Sequence, residues 1–181
     1  MLVSPRKIKD SGLLSLNVDD AYIGAAIRTA QMVHLVDAIG TDLVEKLQLL
    51  VYNKVNNVSG ATNIDSEENI QYKVLLDEYV TPALISKTIV ESALRMSLKI
   101  RNMGVVQNSD TNVNYAQLAD IKYLMSYEET DYNHYLNRMA EFLCDNKEAF
   151  PESNYDCGCM PKKKFANIQI WLGDGKKGCC K

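Results

Sequence analysis

The chain has little of what most catalytic and metal-dependent proteins rely on. Only two histidines, His34 and His134, occur in its 181 residues. Each falls in a stretch of helical periodicity with no second ligand three or four residues away, so a core or surface place is expected for both. No glycine-rich loop follows a strand-like stretch, which excludes the phosphate-loop and dinucleotide fingerprints. No nucleophile-elbow sequence is present. The apolar runs are short, so no membrane-spanning helix is expected. The opening residues, MLVSPRKIKDSGLLSL, lack a long apolar core after their basic residues and do not read as a secretory signal, which favours synthesis in the cytosol. Glu67-Glu68 and Glu128-Glu129 carry no apolar pocket signature around them and are expected as solvated helix faces. No enzymatic activity and no cofactor are expected.

Cysteine is present but badly spaced for metal. Cys144 falls on a helical stretch and is expected as a small buried hydrophobe. Cys157, Cys159, Cys179 and Cys180 lie near the C-terminus. Four thiols could hold zinc, but zinc knuckles space their cysteines by two to four residues, and neither C-x-C nor C-C does so. These four are weak metal candidates, and free thiols are the expected state. A disulfide framework does not suit a chain without an export signal.

What is there is helical punctuation. The hydrophobic content of 46% and charged content of 24% are those of an ordinary folded protein. The length suits one core with appendages. The fold expected is mainly α: a small helical bundle over residues 19–151, an N-terminal arm over 1–18, an inter-helix loop, and a C-terminal extended arm over 152–181 carrying a β-strand.

The stretch from Tyr72 to Arg101 organises the bundle. Tyr72, Leu75, Leu76, Tyr79 and Ala83 share a helical face, Thr81-Pro82 is expected to interrupt with Thr81 as an N-cap, and a second helix runs on through Ile85, Ile89, Ala93, Met96 and Ile100. Its apolar stripe is wide, so burial on more than one side is expected, with Ile89, Leu94, Met96 and Ile100 in the core. Asn102-Met103-Gly104 is expected to end it.

Before it, Asp19 suits the cap of a helix with Ile23, Ile27, Ala30 and His34 on one face. Gly40 closes that helix, and Thr41 opens another with Leu43, Leu47, Leu50 and Val51 inward. Residues 58–65 read as a loop. After it, Val105-Val106 suits a short extended piece and residues 108–114 a turn. Helix resumes near Tyr115, with Leu118, Ile121 and Met125 on one face, then Tyr132, Leu136, Met139 and Leu143. A break near residues 127–130 is allowed, and Phe150-Pro151 closes the helical region.

The C-terminal segment differs in kind. Ala166, Ile168, Ile170 and Leu172 alternate with Asn167, Gln169 and Trp171, the pattern of a strand with one oily face. Such a strand needs a partner, either Val105-Val106 or another subunit. Lys162, Lys163, Lys164 and three further lysines against one aspartate give residues 157–181 a charge of +5, which leaves −8 for the remainder of a chain whose net charge is −3. A basic tail on an acidic body suits an acidic partner surface, a neighbouring copy or nucleic acid. Ile168, Ile170, Trp171, Leu172, Lys162, Lys163, Lys164, Val105 and Val106 are therefore the candidate interface residues.

The order of phrases resembles the head-to-tail connector (adaptor) proteins of tailed bacteriophages, especially crAss-like phages of Bacteroides-like gut bacteria. It is carried by Gly40-Thr41-Asp42-Leu43, by Leu75 through Leu84 (LLDEYVTPAL), by Asn102 through Val106 (NMGVV), and by Leu143-Cys144-Asp145-Asn146 with Phe150-Pro151. It covers about residues 20–155, and the cysteine- and lysine-bearing tail is outside it. The resemblance implies a ring-forming virion protein in the neck, usually of twelve copies, that extends the DNA channel below the portal. Its implied partners are its own copies, the portal protein, further neck or tail ring proteins, and genomic DNA passing without sequence-specific contact. No membrane partner is implied. The competing expectation is a helical regulatory or nucleic-acid-binding protein that uses the basic tail, although no helix carries a basic, base-reading face.

Overall fold

Asp19 starts the first long helix as its position suggests, its carboxylate accepting from the Ala21 N–H at 2.9 Å. The structure, a computed structural model, describes residues 1–101, 104–107 and 118–153, and these are mainly helical. A short helix, α1 (Pro5–Lys9), precedes that start, with Ser4 as its cap and Pro5 at its first position. The N-terminal stretch, expected as an irregular arm, packs into the body. Leu2, Val3 and Ile8 are buried in the core, and the Leu2 N–H donates to the Gln31 side chain at 3.0 Å. Tertiary contact holds a five-residue helix that local propensity could not.

Helix α2 consists of an α-helical segment, Asp20–Thr29, a π-helical turn, Ala30–Leu35, and a last α-helical turn, Val36–Ile39. Ile23, Ile27 and Ala30 are buried as expected, but the stripe then continues through Leu35 and Ile39, and His34 is half-buried. The π turn holds an extra residue, which shifts the inward face by one position. Gly40 follows at φ 88, and helix α3 (Thr41–Val55) turns back with Leu43, Val44, Leu47 and Leu50 inward.

After the loop, in which the Ile64 N–H donates to the Leu50 carbonyl at 3.3 Å, the 3₁₀ turn Glu67–Asn69 leads into α4. This helix is α-helical over Ile70–Val74, π-helical over Leu75–Val80 and α-helical over Thr81–Ser97. The expected interruption at Thr81-Pro82 does not occur. Thr81 has helical dihedrals, φ −62 and ψ −51, and is no cap. Proline lacks an N–H and crowds the carbonyl four residues back, and the wider π turn just before it relieves that crowding.

The far end of α4 also departs from expectation. The helix stops at Ser97, and Leu98–Arg101 forms strand β1, antiparallel to β2 (Gly104–Gln107). Leu98-Lys99-Ile100-Arg101 alternates apolar and basic residues, a period of two that suits a strand, while in the sequence Leu98 follows Leu94 and Ile100 follows Met96 at helical spacing. Of the expected core residues, Ile89 is buried and Met96 half-buried; the side chains of Leu94 and Ile100 lie outside those described.

Helix α5 (Leu118–Asp145) packs along α4 without a break at residues 127–130. Tyr132, Met139 and Leu143 are buried, as their spacing indicates. The 3₁₀ turn Lys147–Ala149 then brings Phe150 into the core, edge-on to Tyr72 at 5.1 Å. The Tyr72 hydroxyl donates to Glu152 at 2.7 Å, and burial, then this carboxylate, pushes its pKa up. No helix among the described residues is long and apolar enough to cross a membrane.

Candidate functional site

A polar cluster interrupts the apolar face of α4. Ser86-Lys87-Thr88 falls between Leu84 and Ile89, both buried. Lys87 is only 7% exposed. Its ammonium donates to both oxygens of Glu129, at 2.8 and 2.7 Å, and stands 5.1 Å from the centre of the Tyr132 ring. Burial, with smaller effects of Glu129 and Asp37, pushes the Tyr132 hydroxyl up to about 12.

Glu128 lies beside this pair and is only 3% exposed. The expectation that Glu128-Glu129 is a solvated face is therefore corrected: one carboxyl is buried and the other is tied to a buried lysine. Burial raises the Glu128 pKa, a hydrogen bond from Ser86 acts against that, and the neighbouring Asp131 charge adds to it. Among the described residues no cation pairs with Glu128. Glu67-Glu68, by contrast, is exposed as expected.

Glu128 and Ser86 form the floor of a surface cleft of about 370 Å³ between the N-terminal stretch, α4 and α5. Leu13, Pro82 and Ile85 give it apolar walls, and Tyr127, Tyr135 and Asp131 stand around it. On the other flank of α4, His34 Nε2 is 3.3 Å from a Glu91 carboxylate oxygen and its ring is edge-on to Tyr132. His134 is exposed. The described residues hold no cluster of three potential metal ligands.

Two apolar surfaces stand on different elements. Met32 on α2 and Leu49, Tyr52 and Val55 on α3 are exposed, and the 4.0 Å contact of the Gln48 amide with the Met32 sulfur joins the two helices there. Leu118, Tyr123, Leu124 and Tyr127 are exposed on the first turns of α5. The sequence places Leu118 on an inward face with Ile121 and Met125; the structure leaves Leu118 exposed and the other two half-buried.

Among the candidate interface residues, Val105 and Val106 sit in β2 opposite Ile100 and Lys99. Their partner in the described residues is thus β1. Lys162, Lys163, Lys164, Ile168, Ile170, Trp171 and Leu172, and the metal candidates Cys157, Cys159, Cys179 and Cys180, lie outside the described residues. Cys144 is half-buried and disulfide-bonded, so it does not serve as the small thiol filler its helical position suggests, and the expectation that a disulfide does not suit this chain is corrected. Sequence reasoning missed Lys87 and Glu128. The available signal was Lys87 itself, since a charge inside a helix that is apolar on most sides must be paired.

Residues 35–163 match a family of unknown function (DUF6712), and the chain belongs to that family. No curated protein and no solved structure matches the chain.

Proposed function

We propose that this chain, as a member of the DUF6712 family, is a structural virion component: a ring in the neck of a tailed bacteriophage, between portal and tail, that extends the DNA channel and joins head to tail. The observation that supports this reading is the pair of exposed apolar surfaces, Met32 with Leu49, Tyr52 and Val55, and Tyr123 with Leu124 and Tyr127 on one face of α5. Contiguous exposed apolar groups mark interaction sites. Unlike faces on one chain favour head-to-tail contact between copies, which closes into a ring when the rotation permits. The phage context comes from the resemblance of the helix-punctuating phrases to connector proteins.

In this reading the partners are further copies, twelve in the rings the chain resembles, the portal protein and the next neck or tail ring, with genomic DNA passing through. The C-terminal arm reaches a neighbouring subunit. Its strand adds to an open sheet edge such as that of β1 and β2, and Ile168, Ile170 and Leu172 enter pockets on one side. Light scattering with and without the portal protein tests the ring. A chain that remains monomeric at every concentration and does not bind the portal would refute it. Deleting residues 157–181 tests the arm: a helical monomer that no longer assembles is expected, and normal assembly would remove the arm from the interface.

A further inference from the structure

The Glu128 cleft has the form of a receptor for a lysine side chain. Its floor is a buried carboxyl with a hydroxyl beside it and no cation among the described residues. Leu13, Pro82 and Ile85 offer apolar surface on which the methylene stem of a lysine can lie. Tyr127 and Tyr135 line it with aromatic rings, and Asp131 adds a second negative charge. The adjoining pair shows the same chemistry already satisfied: Lys87 lies over Tyr132 with its ammonium on Glu129. Among the described residues Glu128, buried in this seam, has no such cationic partner, and a buried carboxylate without one is unfavourable.

We infer that the Glu128 cleft receives a lysine of the Lys162-Lys163-Lys164 run from the C-terminal tail of a second copy of this chain. This deepens the ring reading above and rests on it for the second copy. Charge selects the tail, because residues 157–181 carry +5 and the remainder of the chain −8. The second copy comes from the ring reading, and the mixed-isotope cross-links below distinguish it from the chain's own tail.

Spacing also lets one tail make both contacts. The hairpin begins at Leu98, about 18 Å along α4 from Ser86. An extended tail covers about 17 Å between Lys163 and Ile168. A lysine in the cleft therefore leaves the Ile168–Leu172 strand at the level of the neighbour's sheet edge.

The test uses the full chain prepared in light and in ¹⁵N-labelled form, mixed, treated with a zero-length carbodiimide cross-linker and read by mass spectrometry. Cross-links from Glu128 or Asp131 to Lys162, Lys163 or Lys164 are expected between light and heavy chains. Such links confined to one chain, or their absence, would overturn the inference. Glu128→Gln keeps the shape of the floor and removes its charge; it is expected to weaken self-association roughly tenfold or more, and unchanged association would also overturn the inference. Light scattering on the same samples separates the two readings. Rings without these cross-links sink the cleft contact and leave the ring; mixed cross-links in a dimer that never grows sink the ring and leave the contact.

Discussion

Lys87 and Glu129 are joined by two hydrogen bonds, at 2.8 and 2.7 Å, across the packing of α4 on α5. The lysine is buried while the carboxylate is partly open to water, so the ammonium is the group that would lose most without its partner. Lys87→Ala is expected to lower stability by about 1–3 kcal/mol. Lys87→Met should lose less, because it keeps an unbranched stem against Tyr132. Chemical denaturation midpoints measure both, and two midpoints equal to that of the unchanged protein would show the pair to be solvated.

Glu128 should make stability depend on pH. Burial, only partly offset by Ser86 and reinforced by Asp131, holds its pKa above 4.5. The folded chain then binds that proton more tightly than the unfolded chain. The stability this supplies is complete below the unfolded value and is lost as pH rises through the folded value. Glu128→Gln should therefore melt higher than the parent at neutral pH, with the gap closing toward about pH 4. The melting curves belong at concentrations below self-association. A variant with the parent's pH profile would mean that the carboxyl is hydrated.

Gly40 joins α2 to α3 at φ 88 and ψ 157, a conformation essentially closed to residues with a Cβ. Gly40→Ala is expected to destabilise the fold by about 1–3 kcal/mol. An unchanged thermal midpoint would show that this junction adjusts without strain.

A chain ending at residue 156 carries −8 and should bind duplex DNA weakly. Tight, salt-dependent binding comes from lysine and arginine contacts to phosphate, and an acidic channel wall would let the genome slide past. Titration by fluorescence anisotropy checks this. Binding tighter than about 1 μM that weakens steeply with salt would favour the nucleic-acid-binding alternative.

Local chemistry was legible in the sequence wherever one residue decides it. Asp19 caps α2, Gly40 takes a positive φ, and Leu43, Leu47 and Leu50 turn inward because their spacing matches the helical repeat. Other features belonged to the tertiary structure. The π turns at Ala30–Leu35 and Leu75–Val80 shift a helical face by one residue, and no short-range pattern announces them. Leu98-Lys99-Ile100-Arg101 satisfies helical and strand periodicity alike, and only pairing with Gly104–Gln107 decides for the strand. Leu2, Val3 and Ile8 are buried because a core exists to receive them. The candidate site was the least legible part. Lys87, Glu128 and Glu129 lie on two helices joined by a long connection. Whether a carboxyl is buried or solvated depends on which surface packs over it, and the approach of α4 to α5 determines that.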